Sequence, residues 1–169
     1  NEYCRIIALQ ALEACGDNKG LSAAARALMA NPVKASARLA SGFAAVLYPR
    51  HLSTEALLTL IAESKPPRSR TVEGFAYSVG QLYDAAPDAR SRAKLVKGLA
   101  ELALARPFAD SHKRISKLHE ELAENLHEIA QREAKALDEK ESPENLLQLL
   151  MVVERSNRRS LNEDNGLNL

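Results

Sequence analysis

The chain has no tryptophan, three phenylalanines and four tyrosines, an aromatic share of only 4%. Sandwich and barrel cores draw heavily on aromatic and β-branched residues, so this scarcity argues against an all-β fold. There are only two cysteines, Cys4 and Cys15. Two thiols cannot form a disulfide framework and no Cys-x-x-Cys spacing exists, so they read as reduced, buried residues. No apolar run reaches transmembrane length and no signal peptide is visible, which leaves a soluble, cytoplasmic protein as the expectation. A surplus of one charge is missing too. The 23 Lys and Arg residues nearly cancel the 22 Asp and Glu residues, whereas a dedicated nucleic-acid binder usually carries a basic excess.

What remains is rich in alanine and leucine, with 46% hydrophobic and 27% charged residues over 169 positions. That composition is globular, and the chain is long enough for a core. Alanine and leucine are strong helix formers, and small side chains let helices approach closely. The expected class is all-α: about eight short antiparallel helices, arranged as a helical-repeat-like array or an irregular bundle.

The spacing predicts a first helix over 2–15, with Tyr3, Ile7, Leu9, Leu12 and Cys15 toward one face and Gly16 just past its end. Ser22 is placed to cap a second helix over 23–30, which Asn31-Pro32 stops. A third runs from Pro32 to Tyr48, with proline in its first turn, and Pro49 ends it. Ser53 caps a fourth over 54–63, carrying Leu57, Leu58, Leu60 and Ile61. Lys65-Pro66-Pro67-Arg68-Ser69-Arg70 is the strongest break. A fifth helix follows over 71–85, with Phe75, Val79, Leu82 and Tyr83 on its buried face. Asp88 caps a sixth over 89–105, striped by Leu95, Val96, Leu99, Leu102 and Ala103. The seventh, 111–137, repeats Ile115, Leu118, Leu122, Leu126 and Ile129 as a narrow seam. Ser142-Pro143-Glu144 starts an eighth that reaches Ser156. The domain expectation is one helical unit over 1–160, with a subdivision point near 65–70 and a frayed polar tail over 161–169. The chain opens at Asn1 within a helical pattern, so a segment of a larger protein is expected. The starts Ser53-Thr54-Glu55-Ala56-Leu57-Leu58 and Ser142-Pro143-Glu144-Asn145-Leu146-Leu147 echo each other, as a degenerate repeat or as two similar caps.

No motif carries catalytic chemistry. Gly16-Asp17-Asn18-Lys19-Gly20-Leu21-Ser22 has the residues of a phosphate loop in the wrong order, after a helix rather than a strand, and reads as a turn. His119-Glu120 begins like a zinc-protease helix, but the residue four past His119 is Ala123, so no second imidazole shares that face. His112 and His127 have no ligand cluster beside them, and His51 lies in a loop next to Arg50. Neither cysteine has a nearby histidine, and no Gly-x-Ser-x-Gly elbow exists. Glu121 and Glu128 sit four residues from Lys117 and Arg132, a surface pattern contributing roughly 0.2–0.5 kcal/mol per pair. The basic groups at 65–70 and at Arg155, Arg158 and Arg159 read as a solvated loop and a helix end. No enzyme activity, metal or cofactor is expected.

The run Leu21-Ser22-Ala23-Ala24-Ala25-Arg26-Ala27-Leu28, followed by Ala35-Ser36-Ala37-Arg38-Leu39, resembles the helix-turn-helix of LysR-type regulators. It lacks the turn glycine. As a DNA-binding alternative, the resemblance implies contacts from Lys34, Ser36 and Arg38. A second resemblance rests on Leu47-Tyr48-Pro49-Arg50-His51-Leu52-Ser53, Leu57-Leu58-Thr59-Leu60-Ile61, Leu82-Tyr83-Asp84-Ala85-Ala86-Pro87-Asp88-Ala89 and Arg114-Ile115-Ser116. These segments, less than half the chain, look like the helical region beside the nucleotide-binding core of large bacterial NACHT or STAND-type NTPases. The resemblance implies a linker or sensor segment with the NTPase elsewhere, and carries no functional residue over.

The reading is therefore a non-catalytic scaffold or interaction module whose partner is protein, another domain of its own polypeptide or a separate chain. Nucleic acid and membrane are not its expected partners. The candidate interaction surface is Tyr48, Arg50, Tyr77 and Phe108, since large aromatics and arginine anchor interfaces.

Overall fold

A computed structural model describes residues 1–65, 74–75, 78–105, 129–133, 135 and 151. These residues are mostly helical and include no strand, so the class is all-α. The elements are α1 (Glu2–Ala14), α2 (Asn18–Met29), a 3₁₀ turn (Pro32–Lys34), α3 (Ala37–Leu47), α4 (Thr54–Glu63), α5 (Val79–Asp84) and α6 (Ala89–Ala105). The chain divides into two compact units, Asn1–Leu95 and Val96–Leu169. In the second, Val96, Leu99, Ala100, Ile129 and Ala130 are buried. Most of the predicted seventh and eighth helices and the 161–169 tail lie outside the described residues, as do Pro66–Arg70, His112, His119, His127 and the cluster Arg155, Arg158 and Arg159.

Within the first unit α3 is central, packing against α1, α2, α4 and α5. Seven of its eleven residues are buried, among them Leu39, Phe43 and Leu47. Gly42 permits the close approach of α1, because a Cβ there would lie 2.6 Å from Ile6 Cδ1. Arg5 of α1 covers the Phe43 ring, its guanidinium carbon 5.8 Å from the ring centroid.

Local chemistry sets most boundaries. Asn1 caps α1 by accepting from the Tyr3 amide. Gly16 follows its C-terminus with φ 71°, the left-handed conformation that glycine adopts without a Cβ penalty. Ser53 caps α4 by accepting from the Ala56 amide. The Asp88 carboxylate accepts from the Ser91 amide at the start of α6, at 2.6 Å.

Four expectations are corrected. α2 begins at Asn18, capped by Asp17, whose side chain accepts from the Gly20 amide; Ser22 lies inside the helix and caps nothing. A carboxylate placed before the first turn also suits the helix dipole, so the helix starts five residues early. The third helix does not run continuously from Pro32. Ala35 and Ser36 are extended, and Ser36 caps α3 at Leu39. Lys65 sets this break: its amide donates to the Ala35 carbonyl and its carbonyl accepts from the Ala37 amide, each at 2.8 Å. The fifth helix does not run unbroken over 71–85: Gly74 sits at φ 118°, which no right-handed helix tolerates, and α5 covers Val79–Asp84, while 71–73 and 76–77 lie outside the described residues. Finally, α1 buries only Leu9 fully; Tyr3 and Ile7 are 57% and 45% exposed, and Cys4 and Cys15 are exposed free thiols. The face toward α3 is set by Ile6 and Leu9, which leaves Tyr3, Cys4, Ile7 and Cys15 outside it.

Candidate functional site

The segment between α3 and α4 is held at three points. Tyr48 is 5% exposed, and its hydroxyl pairs with Thr54 Oγ1 at 3.2 Å. Leu52 is buried. His51 Nδ1 lies 3.1 Å from Ser22 Oγ of α2, and the His51 amide donates to the Leu47 carbonyl at 2.7 Å. The Tyr48–Pro49 bond is cis. Between these anchors the Arg50 side chain is exposed.

Two clefts flank this loop and share Pro49, Leu52 and Ser53 as a common wall. The first, of 310 Å³, lies toward α6 and is bounded by Glu55, Arg90 and Lys94. The second, of 520 Å³, lies toward α2 and is bounded by Arg26, Met29, Arg50 and His51.

The rim of the first cleft carries an ion pair between Glu55 and Lys94. The Lys94 ammonium and then backbone and Ser53 hydrogen bonds hold the Glu55 carboxyl down to about 2. The Ser91 amide and hydroxyl likewise lower Asp88. Because its folded-state value lies below the ordinary one, Glu55 favours the fold above pH about 4.5, and that contribution disappears as pH falls toward about 2. Asp88 acts in the same direction, its contribution present above its ordinary value and lost on acidification. Both side chains of the ion pair are half exposed or more, so screening keeps its effect small. A carbon-detected NMR titration is expected to place the Glu55 midpoint near 2, and to raise it toward the ordinary carboxylate range in Lys94→Met, where the backbone and Ser53 hydrogen bonds remain. An unchanged midpoint in that variant would remove the ion pair as the cause.

Of the predicted interaction residues, Arg50 is exposed on the loop. Tyr48 is corrected from surface to core: its ring fills the interior while its hydroxyl finds Thr54, the usual requirement for a buried tyrosine. Tyr77 and Phe108 lie outside the described residues. Tyr48→Phe is expected to cost about 1–3 kcal/mol in urea denaturation, because Thr54 loses a buried partner. Arg50→Ala should stay within about 0.5 kcal/mol of the parent, as exposed substitutions do. Equal costs in the two variants would contradict this division of roles.

The residues of the DNA-binding alternative are not gathered at the start of one helix. Lys34 ends the 3₁₀ turn, the Ser36 hydroxyl is engaged as the α3 cap, and Arg38 lies in the first turn of α3. The central burial of α3 leaves little of it to enter a groove. Among the described residues, no three His, Cys, Asp or Glu side chains cluster as metal ligands, and no helix is long and apolar enough to cross a membrane. The pinned contact between Ser22 and His51 was not readable in the chain, since it joins positions 29 residues apart.

Compared with known proteins, the chain matches no family model, no curated protein and no solved structure.

Proposed function

We propose that this chain is a non-catalytic helical interaction module whose contact surface is centred on the 48–53 loop. The supporting observation is an anchored loop that presents Arg50 between two open clefts. Preorganised surfaces lose little entropy on association, and arginine is favoured at interface centres. The partner is protein: another domain of the same polypeptide, as the resemblance to the helical regions of NACHT or STAND-type NTPases implies, or a separate chain. The reading places the module in the cytoplasm. Its exposed thiols Cys4 and Cys15 suit a reducing compartment. They lie eleven residues apart at the two ends of α1, about 16 Å by helical rise, which is too far to bridge.

Photo-crosslinking in the source cell tests this. A benzophenone side chain at position 50 should give a discrete protein adduct, or an internal one within a longer polypeptide, and the same group at position 63 should not. No adduct at position 50 in the folded protein would overturn the proposal.

A further inference from the structure

The 520 Å³ cleft between α2 and the loop has an uneven chemistry. Its floor is apolar, built from Ala25, Met29, Pro49 and Leu52, and two guanidinium-bearing residues, Arg26 and Arg50, line it. None of the described residues that line it is a carboxylate. The neighbouring cleft differs, since Glu55 lines it and pairs with Lys94. We propose that the α2-side cleft binds an acidic peptide segment, seating an apolar side chain on Met29 and Leu52 and its carboxylates on Arg26 and Arg50. This deepens the interaction reading above and rests on it.

Charge complementarity selects this occupant. Guanidinium groups take carboxylates through paired, charge-assisted hydrogen bonds, and two of them over an apolar floor match an acidic segment with a hydrophobic anchor. A nucleic-acid strand fits less well. It requires a run of cations along a backbone and stacking platforms for its bases, and among the described residues that line this cleft there is no Phe, Tyr or Trp; its one aromatic ring is His51, held 3.1 Å from Ser22 Oγ through Nδ1. The chain as a whole carries a net charge of only +1. The loop anchors on Ser22 and Thr54 hold the Arg50 backbone in place before any ligand arrives.

Fluorescence polarisation on the 169-residue chain tests the assignment. The probe is a labelled twelve-residue peptide repeating Glu-Glu-Leu; the comparisons are its Gln-Gln-Leu analogue and a labelled single-stranded oligonucleotide. The acidic peptide should bind, with the glutamine analogue weaker by roughly tenfold or more. Arg26→Glu and Arg50→Glu should each weaken it about tenfold, the effect of losing one charge-assisted contact, while Lys97→Glu should leave it unchanged. Both arginines are exposed, so circular dichroism should show these variants folded. Absence of acidic-peptide binding, binding indifferent to both arginines, or tighter arginine-dependent binding of the oligonucleotide would each overturn the proposal. If the acidic peptide fails while position 50 still crosslinks to protein, the interaction module stands and only the acidic class of partner falls.

Discussion

Leu47→Ala is expected to cost about 2–5 kcal/mol in urea denaturation, a large share of the roughly 5–15 kcal/mol that holds a typical domain. Leu47 is fully buried at the end of α3, the helix that contacts most of the first unit. Leu57 and Leu60, equally buried, lie on α4, which packs against α3. Truncation removes three methylene-equivalent carbons and leaves a cavity the surrounding helices only partly close. Leu47 also precedes the functional loop, and its carbonyl accepts from the His51 amide. The variant should therefore loosen the 48–53 segment before the whole unit unfolds. Hydrogen exchange at His51 and Leu52 should rise first as temperature increases. Exchange that rises uniformly across α1 to α4 would show that the loop has no separate dependence on Leu47.

How much of this was legible in the chain depended on distance along it. Ser53, Asp88 and Gly16 were readable as helix ends because their chemistry is local: a side chain reaches an amide three residues on, or a backbone turns where no Cβ interferes. The stripe Leu57, Leu60 and Ile61 was readable for the same reason, since helical periodicity places those residues on one face. Ser22 was misread because a serine before an alanine run looks like a cap, while the actual cap, Asp17, stands five residues earlier. The break at Ala35–Ser36 could not be read at all. Proline at position 32 is as acceptable at the start of an α-helix as in a 3₁₀ turn, and what separates the two is Lys65, thirty residues downstream, taking the backbone groups of Ala35 and Ala37. The same holds for the candidate site. Arg50 was readable as exposed and cationic, but its cleft is made by bringing Arg26 and Met29 of α2 beside it. Tyr48 was misassigned to the surface because its partner Thr54 becomes a neighbour only once the loop closes.

The same contrast between local and distant causes separates two glycines. Gly74→Val should be the more severe: φ 118° is a conformation β-branched residues avoid, with a cost of about 1–3 kcal/mol. A Cβ there would also lie 2.9 Å from Ala37 Cβ and 3.4 Å from the Ala37 carbonyl carbon. Ala37 is the first residue of α3, and its amide is already committed to Lys65, so the helix start cannot retreat without losing that bond. Overpacking of this kind adds about 1–3 kcal/mol. At Gly16 the backbone is also left-handed, at φ 71°, but nothing lies within 4 Å of the position a Cβ would take. Gly16→Ala should therefore lose only the conformational part, about 1 kcal/mol. Denaturation midpoints for the two variants decide the matter. If Gly16→Ala proves as damaging as Gly74→Val, then backbone conformation alone governs both sites, and the packing of residue 74 against the start of α3 contributes nothing.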